Sequence, residues 1–394
     1  MSADPASILR PAVMPPQAPV RAGTREGRVR VLQFGPALDA RGGISTLEQL
    51  VNDYLPPYAA IRHVATTHEG SLPGRLWVFA RAVTTLWQAV DAIEPTVVHI
   101  HFASRGSTLR KMLLARMVIN ARKPLVLHAH GGGFDKFHRG LPPMLRQVVN
   151  RTLQQANVLI TLSTQWRDFY IRECELAPSQ VVVLPNPVRV PTKVPDRSGR
   201  PQVQFVHLAK LGRSKGSYDL VNAFGALPPE LRNKARLVLA GNGDLDGVRR
   251  AAAPFNEDAS GGKGERVRVL SWIDPQARDR LLDDSDAFVL PSYAEGVPMS
   301  LLEAMAAGLP SITTNVGGIP DVFSHGSEGS MIRPGDTAAL TAAMAHFITD
   351  ESARLSAGRR AQERARSFDV HAYARRLADI YQRIAPVGEM RELP

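Results

Sequence analysis

Twice along this chain of 394 residues, short runs rich in Val, Ile and Leu alternate with stretches of helical spacing. No other feature constrains the fold as strongly. The first series is RVRVLQF from Arg28, then TVVHIHF, PLVLHAH, ANVLITLS and QVVVLP. Between these runs lie TLEQLVNDYL, GRLWVFARAVTTLWQAVDAIE and TLRKMLLARMVINA. Strand then helix then strand, repeated, implies a parallel sheet covered by helices on both faces. At Pro185 the character changes to PNPVRVPTKVPDRSGRP, whose prolines and charges mark a linker. The pattern then restarts with VQFVHLAK, ARLVLAGNG, RVRVLSWI, AFVLPS and PSITTN.

The expected fold class is therefore α/β, with two doubly wound Rossmann-like domains facing across a cleft. Residues 28–190 form the first domain, 191–200 the linker and 201–370 the second. Residues 371–394 are a closing helix and tail, with Tyr373, Leu377, Ile380, Tyr381 and Ile384 at helical spacing. Residues 1–27 are rich in Pro, Ala and Arg and lack the continuous apolar segment of a signal peptide. They read as a disordered tail.

Charge narrows the partners. The net charge is +11, and residues 61–190 hold 16 Lys/Arg against 7 Asp/Glu. Such a surplus attracts nucleic acid, anionic lipid or a phosphorylated ligand, or serves solubility alone. No helix-turn-helix, zinc or aromatic RNA motif is present, which argues against nucleic acid. One cysteine, Cys174, permits no internal disulfide and suits a reducing compartment. No run approaches the ~18 apolar residues that span a bilayer. The expected location is cytoplasmic, with peripheral contact at the inner face of the membrane left open.

Chemistry in such folds sits in loops at the carboxyl ends of the strands. After AFVLPS comes YAEGVPMSLLEAMAAGLPSI, which sets Glu295 and Glu303 eight positions apart. Gly296 and Val297 precede Pro298, which suits a first helical turn. The following helix points its free N–H groups at the cleft, an anion site. Glu303, one turn in, suits the vicinal hydroxyls of a ribose, and Glu295 the hydroxyls of a sugar beyond the phosphates. After FVHLA, Lys210, Arg213 and Lys215 face the same cleft and can neutralise a diphosphate. Gly241 and Gly243 in LAGNGD make a poor dinucleotide fingerprint, because Gly247 gives GxGxxxG. An NAD-dependent oxidoreductase is the weaker reading for that reason.

At this point the chain resembles family 4 glycosyltransferases, the retaining enzymes of GT-B fold. EGVPMSLLEAMAAGLPSITTNVGGIPDV is similar to that family's donor signature, in which two glutamates are separated by seven residues. LAKLGRSKG, GGISTLEQL and HAHGGGF resemble further elements of the family. The resemblance implies a hexose moved from a GDP- or UDP-linked donor to a saccharide or polyprenyl-diphosphate-linked acceptor, as in cell-surface polysaccharide synthesis. It implies that Gly42 and Gly43 approach the donor diphosphate, and that Gly241 and Gly243 line the nucleotide pocket. His130 is the candidate contact to the donor sugar, with His128 its competitor two positions away on the same strand face. Lys215 is the safer diphosphate cation, while Lys210 and Arg213 compete for the second place. No cofactor and no metal are expected: Asp284-Ser285-Asp286 has a metal-binding look but precedes AFVLPS, at the wrong end of the sheet. In HFASRGSTLRK, Arg105, Arg110 and Lys111 could seat an anionic acceptor. Trp77, Phe79 and Trp87 suit either a membrane-facing helix or core packing, and Trp272 and Ile273 lie where a base would be bordered.

Overall fold

The computed structural model describes residues 28–91, 96–257 and 265–386. The tail expected at 1–27 lies outside them. Six parallel strands form the first sheet: β1 (Val29–Gly35), β2 (Ala59–Ala65), β3 (Thr96–Phe102), β4 (Leu125–Ala129), β5 (Val158–Thr161) and β6 (Val181–Val183). Their order is β2-β1-β3-β4-β5-β6. Six more form the second: β7 (Val203–Leu208), β8 (Ala235–Ala240), β9 (Val267–Leu270), β10 (Ala287–Leu290), β11 (Ser311–Thr314) and β12 (Gly329–Ile332). Their order is β12-β11-β10-β7-β8-β9, again all parallel.

Ten of these strands fall within the apolar runs of the sequence. The other two, β2 and β12, close one edge of each sheet and are largely half-buried. Edge strands need no continuous apolar run, because one side of their ladder faces solvent.

Alternation along the first sheet builds two cores. Leu32, Phe34, Val98, Ile100, Leu125 and Leu127 pack with the helices Leu72–Asp91, Gly106–Asn120, Pro143–Gln154 and Thr164–Glu173. Val29, Val31, Val97 and Val126 point the other way, against the helices Gly43–Tyr54 and Val370–Ile384. The closing helix therefore packs on the first lobe, through Tyr373, Leu377, Ile380 and Tyr381. The chain crosses between lobes twice, side by side: Val188 donates to the Phe368 carbonyl at 2.8 Å, and Val370 donates to the Val188 carbonyl at 3.1 Å. The proline-rich connection is ordered. Arg197 is buried on the second lobe and donates to the carbonyls of Ser285 (2.6 Å) and Leu282 (3.1 Å).

Strand order reverses between β1 and β3 in one sheet and between β7 and β10 in the other. At such points neighbouring loops part and leave a crevice. The loops after β7 and β10 are those of Lys215 and Glu295.

Candidate active site

The two crevices face each other and enclose a cavity of about 670 Å³. The first lobe contributes Arg41, Gly42, Gly43 and His130, and the second contributes Lys210, Lys215, Gly241, Arg278, Glu295–Pro298 and Glu303. Trp272 and Ile273 also border it, and Arg41 of the first lobe stacks over Trp272 of the second, 5.1 Å from the ring centre.

The second-lobe wall is built from charge pairs. The helix that carries Glu303 spans Met299–Ala306, with Pro298 at its N-cap and no side-chain cap or acidic residue in its first turn. Pro298 thus sits one position before the first helical turn expected for it. The outcome for the site is the same: the first amides have no side-chain acceptor. Glu303, one turn further, accepts from Arg278 Nη1 at 2.7 Å, and burial pushes its carboxyl above the usual range against the pull of that guanidinium. Arg278 escaped sequence reasoning. It lies in the helix Pro275–Asp284 without a motif around it, and only the fold brings it to Glu303.

On the other side of the helix N-terminus, Lys215 Nζ lies 2.7 Å from Glu295 Oε1. Ser292 Oγ donates to the same oxygen at 2.7 Å. Lys215 ends the one-turn helix Arg213–Lys215, whose loop is held by the buried His207. His207 Nε2 meets Ser217 Oγ at 3.1 Å, and that hydroxyl also accepts from the Gly212 amide at 3.0 Å. Lys210 is exposed at the cleft rim, whereas Arg213 turns outward over the Tyr218 ring at 5.4 Å. Of the two competitors, Lys210 is the one in the cleft. Gly241 has φ of 155°, and a Cβ there would collide with the Ala209 carbonyl. Gly243 stands one step behind, against Leu211. Asp286 is committed to structure at the entering end of β10: it accepts from the Gln204 amide at 2.8 Å and from Arg200 at 3.2 Å.

The first-lobe wall is polar in a different way. His99 and His101 on β3, and His128 at the end of β4 with His130 just beyond, share one sheet face; the register sets His101 opposite His128. This face is valine at the entering end and imidazole at the carboxyl end. Contacting rings lead from Tyr381 of the closing helix to the cleft. The Tyr381 hydroxyl meets His99 Nδ1 at 2.7 Å, the ring centres of His128 and His130 are 4.0 Å apart, and His101 Nδ1 meets His130 Nε2 at 2.8 Å. Gln33 Nε2 lies 2.6 Å from His101 Nε2. Burial lowers all four imidazoles, with His99 and His130 brought to about 3, so the stack is neutral at pH 7. The repeated His-x-His in VVHIHF and LVLHAH was a signal for this stack, beyond the single comparison of His128 with His130. The nearest nitrogens of His99, His101 and His128 lie within 4.8 Å of one another, the one set among the described residues with metal-ligand spacing. His130 alone of the four borders the cleft.

Close by, Glu48 is buried with neither carboxylate oxygen hydrogen-bonded, and burial raises its carboxyl to about 8. Lys111 corrects an expectation. It was placed with Arg105 and Arg110 on an acceptor surface, but it is buried, donates to Thr66 Oγ1 and to the Phe34 carbonyl (3.4 Å), and is lowered by burial to about 7. One residue along a helix is a rotation of about 100°, which turns Lys111 inward while Arg110 stays half-exposed. Arg105 is exposed and holds a positive φ of 64° at the N-cap of the helix Gly106–Asn120. Its loop lies against the loop after β4, where Gly131 packs on Ser104.

The lobes touch at glycines. A Cβ on Gly132 would stand 2.5 Å from the Glu295 carbonyl carbon, and one on Gly296 would stand 3.1 Å from the His130 oxygen. The side chain of Asp321 in the second lobe takes the Thr164 amide, at 2.6 Å, in the first turn of the helix Thr164–Glu173. Residues 28–190 match the family described as Glycosyltransferase Family 4, and residues 194–364 match Glycosyl transferases group 1.

The chain belongs to glycosyltransferase family 4.

Among relatives of this glycosyltransferase, the amylovoran biosynthesis glycosyltransferase AmsK of Erwinia amylovora is 25% identical over 73% of this chain and 70% of its own. The D-inositol 3-phosphate glycosyltransferase of a Nocardioides species is 27% identical over 92% and 84%. Among solved structures, Anabaena HepE in complex with UDP and glucose aligns with a TM-score of 0.66 at 18% identity, over 90% of this chain and all of that one. A sucrose-phosphate synthase from Thermosynechococcus elongatus aligns with a TM-score of 0.72 at 18% identity, over 90% and 99%. The fold is GT-B.

Proposed function

We propose that this glycosyltransferase moves a hexose from a GDP- or UDP-linked donor to a saccharide on a polyprenyl diphosphate carrier, with retention of anomeric configuration and without a metal ion. One observation carries the reading: Lys210, Lys215 and the uncapped N-terminus of the helix Met299–Ala306 converge on a cleft whose wall also holds Glu303. The donor diphosphate lies between these cations and the helix amides. Charge that builds on the departing diphosphate is stabilised there, and this is the main source of rate. Glu303, held by Arg278, takes the ribose hydroxyls. Glu295 competes for Lys215 until the donor arrives, then turns to sugar hydroxyls. His130 is neutral, so it meets the sugar as a hydrogen-bonding group without charge. Arg105 and Arg110 flank the acceptor side.

Support for the acceptor class comes from a relative. The N,N'-diacetylbacillosaminyl-diphospho-undecaprenol α-1,3-N-acetylgalactosaminyltransferase of Campylobacter jejuni is 29% identical over 39% of both chains. Family membership supports retention, and the positive charge already in the cleft supports a reaction without a metal. The test is diphosphate release from a panel of nucleotide sugars, with and without EDTA. Turnover of one GDP- or UDP-sugar that survives EDTA is expected. Release from none of them, or complete dependence on a divalent ion, would contradict the reading.

A further inference from the structure

Eleven large apolar side chains are exposed among the described residues, and two of them, Trp272 and Tyr293, belong to the second lobe. The other nine lie on three first-lobe helices that pack side by side: Leu72–Asp91, Gly106–Asn120 and Pro143–Gln154. Their spacing repeats. Leu72 and Leu76, Leu109 and Leu113, and Met144 and Val148 are each four residues apart, hence on one outward stripe per helix. Met144 is 78% exposed and Trp77 64%, more than a domain of this size leaves uncovered without cause.

Charge on the same helices has one sign. They carry Arg75, Arg81, Arg110, Arg116, Arg146 and Arg151, and their only acidic residue is Asp91, at the far end of the first helix. These stripes also have a place. Each helix leads into a parallel strand (β3, β4 and β5 in turn), so its first turns lie towards the carboxyl end of the sheet, the end that opens on the cleft. Seven of the nine side chains sit in the first two turns of their helices; Leu113 lies at mid-helix, and Trp87 near the other end.

We propose that this three-helix face docks on an anionic membrane surface, with Leu76, Trp77, Leu113 and Met144 entering the interface and the arginines meeting lipid phosphates. Apolar stripes on one side with arginines at their flanks are the pattern of helices that lie in a bilayer interface, and tryptophan suits its boundary. No helix among the described residues is long and apolar enough to cross a membrane, so attachment is by surface. A second copy of the chain fits the face less well, because a two-fold contact would bring like arginines together. The docked face would hold the cleft rim at the lipid boundary. The proposal does not depend on which donor the cleft takes.

Flotation with vesicles tests it, using the full chain at about 0.1 M salt. Vesicles of phosphatidylcholine with 30% phosphatidylglycerol should carry most of the protein upward, and pure phosphatidylcholine vesicles should carry little. Trp77→Glu with Leu113→Glu should reduce flotation at least ten-fold. Arg75→Gln with Arg146→Gln should reduce it more than ten-fold, at about five-fold for each lost arginine. All four positions lie outside the cleft, so stabilisation by UDP or GDP should be unchanged in both variants, which also confirms that they fold. No flotation with the anionic vesicles, or flotation indifferent to both double variants, overturns the proposal. So does a dimer in sedimentation that the glutamate variants dissociate, because the face then belongs to a second copy. Loss of nucleotide stabilisation in the wild type would strike the catalytic reading and leave this one standing.

Discussion

Behind its cleft wall the first lobe buries a row of neutral imidazoles, while the second lobe holds its charges as pairs at the wall itself. His99, His101, His128 and His130 are buried without a compensating carboxylate in hydrogen-bond contact, since both oxygens of Glu48 are unpartnered. Lys215–Glu295 and Arg278–Glu303 instead meet at 2.7 Å beside open space. The same doubly wound architecture thus supports two electrostatic solutions. One lobe excludes charge from the row behind its wall, and the other concentrates it at the wall, where the proposed function sets a diphosphate.

The largest effect expected from this contrast is acid lability of the first lobe. A buried imidazole lowered to about 3 stays largely neutral as pH falls below 6.5, whereas the same group in the unfolded chain takes up a proton. Stability present above pH 6.5 is therefore lost as pH falls, at up to about 1.4 kcal/mol per unit for each imidazole. Glu48, raised to about 8, works the other way: its contribution is present below pH 4.5 and lost as pH rises through 8. Four imidazoles outweigh it. His207 is the one buried histidine lowered in the second lobe, to about 4. Hydrogen exchange followed lobe by lobe from pH 7.5 to 5 should show β3 and β4 opening before β7 and β10. Equal loss in both lobes would break the comparison.

Next in size is catalysis at the charged wall. Lys215→Ala should lower kcat by about 10²–10³ with little change in thermal stability, as for other groups that stabilise a leaving charge. An unchanged kcat would remove Lys215 from the reaction. Gly132→Ala probes the seam between the walls. The new methyl meets the backbone of Glu295, and holding the lobes apart should cost about ten- to a hundred-fold in kcat. Activity equal to wild type would mean that the lobes do not work in this arrangement. Smallest is the joint replacement of Arg105 and Arg110 by alanine, expected to raise acceptor KM about five- to ten-fold and to leave donor KM unchanged. A shift in donor KM instead would place these arginines on the wrong side.

How much was legible beforehand follows the same division. Most strands of both cores announced themselves as apolar runs, because parallel strands covered on both faces are largely apolar. The half-exposed edges β2 and β12 did not. Glu295, Glu303, Lys210 and Lys215 were readable because one local stretch, a strand end and the helix after it, positions each of them. Arg278 and Glu48 were not, since each gains its meaning from a neighbour far along the chain. Glu303 stands 25 residues from Arg278, and the two histidines that face Glu48, His63 and His101, come from β2 and β3. Lys111 misled because a sequence shows charge but not the direction in which a helix turns it.

The central claim is that one nucleoside diphosphate rests between Lys215 and the helix of Glu303. Calorimetric titration of UDP and GDP into the wild type, Lys215→Ala and Glu303→Gln tests it most directly. The account predicts that one of the two nucleotides binds with one-to-one stoichiometry and that each variant loses about ten-fold or more in affinity, the worth of a hydrogen bond to a charged group. Affinity that is the same in all three proteins would contradict it.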